Sequence, residues 1–277
     1  MTASVRLTSG EQVPALGMGT WMMGDERSRR AAELDALRAG IDLGLSLIDT
    51  AEMYGDGASE RLVAEAITGR RAEVFIVSKA YPQNASRKRL PLACEQSLKR
   101  LGTDRIDLYL LHWRGSVPLG ETVEAMQALQ AAGKIRHWGV SNLDRDDMDE
   151  LFAAGGAACS TDQILYNLSR RGCEFALMPS LEARRIPVMA YSPVEQGRLL
   201  DHAALIEVAQ RHAASPAQIA LAWTLRRADV ISIPKAGRRE HVEQNAAARD
   251  IVLTKADLDR LDAAFPPPTR ARPLEMI

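Results

Sequence analysis

The stretch "SLIDTAEMYGDGASE", Ser46 to Glu60, opens as a short apolar run that ends on Asp49, crosses a glycine- and aspartate-rich turn carrying Tyr54, and closes on residues suited to starting a helix. An unbroken apolar run of this length fits a strand covered on both faces. The unit is thus one buried strand, one loop and one helix. Packing alone does not require a carboxylate at the strand's end or a phenol in the loop, so both residues ask for a role.

The same unit recurs outward along the chain. Eight runs of strand length can be read: "VPALGMG", "LSLID", "VFIVSK", "IDLYLLH", "IRHWGV", "DQILYN", "IPVMAYS" and "ISIPK". Between them the apolar spacing changes to the helical period, as at Ala31, Leu34, Leu37 and Ile41, at Leu90, Cys94, Leu98 and Leu101, and at Val123, Met126 and Leu129. Gly40, Gly44, Gly102 and Gly133 fall near the ends of these segments, where left-handed stops are expected. Eight alternations within the typical span of about 250 residues predict an α/β fold, a (β/α)8 TIM barrel. A doubly wound open sheet is the competing architecture, but the Trp and Met of "GMGTWMMG" would crowd a pyrophosphate at its first turn. "SVRLTSGEQVP" predicts an N-terminal β-hairpin over about residues 4–14. Three prolines stop the last helix and leave a tail over about 266–277, near the pocket. Residues 1–277 read as a single barrel domain.

Composition narrows the function. The 277 residues are 46% hydrophobic and 26% charged, with a net charge of −1 and no basic stripe, which argues against a nucleic-acid partner. The apolar runs are too short to cross a bilayer, and the first residues do not form a signal peptide. Three scattered cysteines fit a reducing cytoplasm, and the five histidines show no metal-ligand spacing.

In a barrel the carboxyl ends of the strands build the site. Those ends carry Thr20-Trp21, Asp49, Lys79, His112, Ser141-Asn142, Gln163, Tyr191-Ser192 and Lys235. Singly, an Asp caps a turn and a Lys reaches for water. Eight polar or aromatic groups on one rim argue for chemistry. Tyr54, with a phenol pKa of about 10 when unperturbed, is expected to be lowered by the ammonium of Lys79. Asp49 is placed to anchor that ammonium, since neighbouring strands lie about 5 Å apart. His112 is placed to orient a substrate oxygen. Ser141, Asn142 and Gln163 suit a carboxamide, Tyr191 suits a stacked ring, "SPVEQGRLL" can lie along a pyrophosphate, and Lys235 with the "GRREH" arginines, Arg238 and Arg239, supplies positive charge for a phosphate.

With these residues in place, "GMGTW", "LIDTAEMYGDGASE", "VSKA", "DLYLLHW", "GKIRHWGVSNL", "TDQILYN", "VMAYSP" and "IPKAGRREHVEQN" resemble the aldo-keto reductase family, from about residue 5 to the C-terminus. The likeness is greatest to bacterial reductases of methylglyoxal and related 2-oxoaldehydes. It implies an NADPH-dependent enzyme that reduces aldehydes, 2-oxoaldehydes or small ketones to alcohols, working as a monomer or weak homodimer. By this likeness Tyr54 is the general acid, Lys79 and Asp49 tune it, and His112 orients the substrate. Ser141, Asn142, Gln163 and Tyr191 would hold nicotinamide. Ser192, Gly197, Arg198 and Leu199 would follow the pyrophosphate, and Lys235, Ala236, Arg238, His241, Gln244 and Asn245 the adenosine phosphate. Gly19, Thr20, Trp21, Asp49, Pro193 and Ile233 complete the implied cofactor contacts. Ala236, His241 and Gln244 depart from the serine, arginine and glutamate common in the family.

Trp21, Met22, Met23, Tyr54, Tyr81, His112 and Trp113 are candidates for the substrate pocket, whereas Trp138 and Trp223 read as core. Arg114 either meets an acidic substrate or turns to solvent. Two other functions fit a barrel: a cofactor-binding sensor with little turnover, and a hydrolase with paired carboxylates, for which the strand ends offer no second acid.

Overall fold

The alternating period sorts the strand side chains into two apolar layers. The structure, a computed structural model that describes residues 4–277, begins with an antiparallel hairpin of β1 (Ser4–Arg6) and β2 (Gln12–Pro14), turning through Gly10 at a φ of 90°. The barrel strands are β3 (Met18–Gly19), β4 (Leu47–Asp49), β5 (Phe75–Ala80), β6 (Ile106–Leu111), β7 (Ile135–Ser141), β8 (Asp162–Leu165), β9 (Val188–Tyr191) and β10 (Val230–Ser232). Each of the eight predicted runs overlaps one of them; β5, β7 and β10 each extend one residue past their run, to Ala80, Ser141 and Val230. The strands lie parallel and in chain order. Single bridges from Leu16 to Ser232 and from Gly19 to Lys235 join the first strand to the last, closing the barrel. The hairpin expected over about residues 4–14 is present, and Val13 and Pro14, which the first run shares with it, pair within it.

The outer ring consists of α1 (Arg30–Asp42), α2 (Ala58–Ala66), α3 (Arg89–Leu101), α4 (Leu119–Ala131), α5 (Arg145–Ala153), α6 (Leu177–Ala183), α7 (Ala203–Arg211), α8 (Pro216–Leu225), α9 (Arg239–Ala247) and α10 (Lys255–Ala264). Gly44, Gly102 and Gly133 take the expected left-handed conformation. Gly40 does not. It lies inside α1, where an added Cβ would run into the sulfur of Met18.

One buried cluster lies between strands and helices and takes in Trp138 and Trp223. The other fills the barrel and joins hairpin residues Val5, Leu7 and Val13 to Leu47, Phe75, Val77, Leu108, Leu110, Met189 and Ile231. The hairpin therefore plugs the amino end. Counting on by two from these inward residues gives Asp49, Lys79, His112 and Tyr191. The strand period thus puts the polar groups directly above the apolar fill, at the open carboxyl end.

At the closed end, Asp107 is 1% exposed and accepts from the Ile76 N–H at 2.8 Å, Arg71 at 2.8 Å and Arg136 at 3.1 Å. Replacing it with Ala strands a buried backbone donor, so Asp107→Ala is expected to cost about 2–3 kcal/mol of folding free energy. A urea titration would read this as a lower midpoint at unchanged slope.

Candidate active site

Tyr54 stands in the loop between β4 and α2, a segment bent tightly by positive φ at Gly55, Asp56 and Gly57. Three buried hydroxyls pin this loop to the barrel. Thr50 donates to Ser59 at 3.0 Å, Ser59 to the Thr20 hydroxyl at 2.6 Å, and Thr20 to the Asp49 carbonyl at 2.8 Å. Beneath them Ser78 donates to Glu60 at 2.6 Å, and Glu60 also pairs with Arg100.

The ammonium of Lys79 is fully buried and lies 2.8 Å from each carboxylate oxygen of Asp49, 2.9 Å from the Thr50 carbonyl and 3.2 Å from the Tyr54 hydroxyl. Gln163 donates its amide to the same carboxylate at 2.7 Å. Because the ammonium donates to the phenol oxygen, the phenol's own proton remains free to face the cleft. Burial, with the Asp49 charge adding to it, pushes the Tyr54 pKa well above that of a free phenol. The expected lowering is therefore not what the resting site shows. The reason is electrostatic: Asp49 offsets the ammonium, and the low-polarity surroundings then favour the neutral phenol. Burial likewise lowers Lys79, against the pull of Asp49.

His112 is driven down to about 2 by burial and by the Lys79 charge, so its imidazole is neutral. Its Nδ1 is buried without a partner among the described residues. The ring meets Tyr54 edge-on at 5.8 Å between centroids.

A cleft of about 750 Å³ opens over this cluster. It is lined by the predicted Gly19, Trp21, Met22, Asp49, Tyr54, His112, Trp113, Ser141, Asn142, Gln163, Tyr191, Ser192, Pro193, Ile233 and Lys235. Several predicted residues stand elsewhere. Thr20 is buried in the hydroxyl chain. Met23 is fully buried in the core, and Tyr81 sits one layer back, edge-on to Trp113 at 5.9 Å. Leu199 and Ala236 are buried. Arg238, His241 and Gln244 are exposed along the start of α9, with Asn245 half-buried; Gly197 and Arg198 lie in the loop after β9. Arg239, offered for a phosphate, is held by Asp35 at 2.6 Å. Arg114 is also spoken for. It donates to two backbone carbonyls at 2.7 and 2.9 Å and to Glu150 at 2.9 Å, so it does not address the cleft.

The cleft also holds residues that reading the strand ends did not single out: Met53, Val194, Gln196, Met276 and Ile277. Met53 is adjacent to Tyr54 and was legible by position. The last two arrive with the tail, whose Glu275 is gripped by Arg170 at 2.6 Å. Arg170 also reaches Glu195 in the loop after β9, at 2.9 Å. That loop holds Ser192, Glu195 and Gln196 at positive φ, a strained run for residues other than glycine. It is held there because Glu195, only 4% exposed, also accepts from Asn167 and Arg198, each at 2.8 Å. Burial raises the Glu195 pKa, and these donors more than reverse that, leaving it lowered.

The molecule is a (β/α)8 barrel with a phenol, an ammonium, a carboxylate and a neutral imidazole gathered at its carboxyl mouth. The sequence matches the Aldo/keto reductase family model over residues 15–265, and the chain belongs to that family. It is 51% identical to methylglyoxal reductase YeaE of Escherichia coli strain K12, over 99% of this chain and 98% of that one. It is 33% identical to glyoxal reductase of Bacillus subtilis strain 168, over 94% and 92%. Among solved structures it superposes with TM-score 0.98 and 50% identity on an aldo/keto reductase from Klebsiella pneumoniae in complex with NADP and acetate, over the whole of both chains.

Two outcomes follow from the buried charges. Lys79→Met leaves Asp49 charged and without its cation, which should cost about 3–5 kcal/mol. Adding Asp49→Asn should restore part of that loss, as read by a denaturant double-mutant cycle. His112, depressed from 6.5 to about 2, binds a proton in the unfolded chain but not in the folded one across that interval. Stability contributed by the neutral ring is therefore complete above pH 6.5 and declines below it, by up to about 1.4 kcal/mol per pH unit. His112→Gln should remove this slope from a series of melts between pH 4 and 7.

Proposed function

We propose that this chain reduces the carbonyl of aldehydes, 2-oxoaldehydes of the methylglyoxal type or small ketones to the alcohol with NADPH, and that Tyr54 is the general acid. The observation that carries the reading is the contact of Lys79 with both Asp49 and the Tyr54 hydroxyl at the floor of an open cleft. The relatives named methylglyoxal reductase and glyoxal reductase support the substrate class, and the Klebsiella complex supports the cofactor.

The residues fit a nicotinamide. Ser141, Asn142 and Gln163 offer a hydroxyl and two amides on one wall, and the half-buried Tyr191 is held by its donation to Asn142 at 2.9 Å. Gly19, at the edge of the cleft, lets β3 lie against the segment after β10, since an added Cβ would lie 2.8 Å from the Ile233 carbonyl. Ser192, Pro193, Gly197, Arg198 and Leu199 then follow the pyrophosphate. Lys235, Ala236, Arg238, His241, Gln244 and Asn245 meet the adenosine phosphate, with Arg238 as the cation left free by the Arg239–Asp35 pair. When bound, the cofactor supplies a hydride to the carbonyl carbon.

The chain's own part is proton transfer and positioning. Neutral His112 donates Nε2–H to the carbonyl oxygen and turns it toward Tyr54. The raised pKa of Tyr54 keeps the acid protonated throughout the physiological range. As the proton leaves, the ammonium at 3.2 Å stabilises the phenolate that forms. Lys79 thus acts on the product of the transfer more than on the resting acid. Trp21, Met22 and Trp113 wall the substrate side, with Tyr81 bracing Trp113.

No helix among the described residues is long and apolar enough to cross a membrane. The reading takes a cytoplasmic enzyme, a monomer or weak homodimer, with small carbonyl compounds and no nucleic acid as partners.

Purified chain should oxidise NADPH steadily in the presence of methylglyoxal, with a lower kcat/KM for NADH. Tyr54→Phe should reduce kcat roughly 10²–10⁴-fold, the usual contribution of a general acid, with NADPH affinity within a few-fold of the parent. Near-normal turnover by this variant would remove Tyr54 from the mechanism, and cofactor binding without turnover in the parent would favour a sensor.

A further inference from the structure

The chain has ten methionines, of which Met1 lies outside the described residues. Six of the other nine are buried: Met18, Met23, Met126, Met148, Met178 and Met189, none more than 4% exposed. The remaining three, Met22 at 52% exposed, the half-buried Met53 and Met276 at 56%, come from distant parts of the sequence and all line the cleft over Tyr54. Every solvent-reachable thioether among the described residues therefore faces one site.

Each is held there by its neighbours. Met22 occupies a left-handed conformation with φ of 58°, unusual for its side chain. The turn persists because the Met23 N–H donates to the Thr20 carbonyl at 3.0 Å and the Met23 side chain is fully buried, which turns Trp21 and Met22 outward. Met53 precedes the pinned Tyr54. Met276 follows Glu275, which Arg170 ties to the rest of the molecule at 2.6 Å.

A thioether wall is apolar and adaptable, and it is also oxidisable. A hydroperoxide transfers its terminal oxygen to the sulfur lone pair. The O–O bond breaks, an S–O bond forms, and the proton moves to the departing oxygen, giving sulfoxide and an alcohol, or water from hydrogen peroxide. Sulfur loses two electrons and the peroxide gains them. The product is polar, so the same wall would favour hydrated groups over alkyl chains.

We propose that Met22, Met53 and Met276 form an oxidisable thioether wall, the chain's preferred site of modification by hydroperoxides, and that their oxidation turns the cleft against carbonyl substrates with apolar substituents. The kinetic half rests on the carbonyl-reductase reading; the chemical half does not.

Intact protein is treated with limiting hydrogen peroxide and its peptides are mapped by mass. One oxygen should enter at residues 22, 53 and 276 roughly tenfold faster than at the six buried methionines. With NADPH, the KM of a medium-chain alkanal should then rise roughly fivefold while that of methylglyoxal stays within roughly twofold, and methionine sulfoxide reductases should reverse the change. Met22→Leu/Met53→Leu/Met276→Leu, compared with its own untreated value, should show no such rise; Met22→Leu and Met276→Leu alone serve if the triple variant does not fold. Oxygen spread evenly over buried and exposed sites, or an equal rise in KM in the leucine variants, overturns the proposal. Absence of any carbonyl-dependent NADPH oxidation before treatment would instead count against the reductase reading and leave the peptide map to decide the chemistry.

Discussion

The buried pair of Asp49 and Lys79 is the interaction around which the site is built. Two charges sealed above an apolar barrel floor are tolerable only when nearly every polar atom has a partner. Here the carboxylate takes the ammonium and the Gln163 amide, and the ammonium takes the carboxylate, a backbone carbonyl and the phenol. The phenol is thus the last acceptor in a saturated set, and it meets the cleft together with Asp49 and Gln163. Moving any member would leave a buried charge short of a bond, which opposes displacement of any one of them.

A second anchor lies on another part of the cleft rim, in the loop after β9. The loop after β9 adopts backbone conformations that Ser192, Glu195 and Gln196 would not choose alone. The opposing force is concentrated in one carboxylate, Glu195, which gathers Asn167, Arg170 and Arg198. Because Arg170 also holds Glu275, the same ion network fixes the tail that brings Met276 and Ile277 to the cleft. The loop after β9 and the C-terminal tail therefore share one anchor, though they are far apart in sequence.

How much of this was legible without coordinates depended on the range of the interaction. The period of two fixes which residues of a strand face inward, so Asp49, Lys79, His112 and Gln163 could be placed on one rim from their positions alone. The Tyr54 loop follows from its glycines. Tertiary contacts decided the rest. Thr20 shows a polar residue at a strand end but not that Ser59 claims it. Arg114 and Arg239 show charge but not the Glu150 and Asp35 that neutralise it. Met22 and Met23 are alike in sequence and opposite in burial, because a single turn separates them. Gly40 looks like a helix stop until Met18 is seen against it.

The direction of the Tyr54 shift shows why composition of a site is not its electrostatics. Tyrosine beside lysine suggests an acidic phenol, and an isolated ammonium at 3.2 Å would make one. With Asp49 closer still to that ammonium, at 2.8 Å, the carboxylate offsets it at the phenol and burial dominates. Such a site does not hold a ready phenolate. It holds a neutral phenol, which under the proposed carbonyl reduction would give up its proton only to a stronger base formed beside it. His112, kept neutral by the same burial, does not compete for that proton. In the proposed reaction this arrangement would keep the proton on the phenol until the carbonyl oxygen can take it, rather than lose it to solvent.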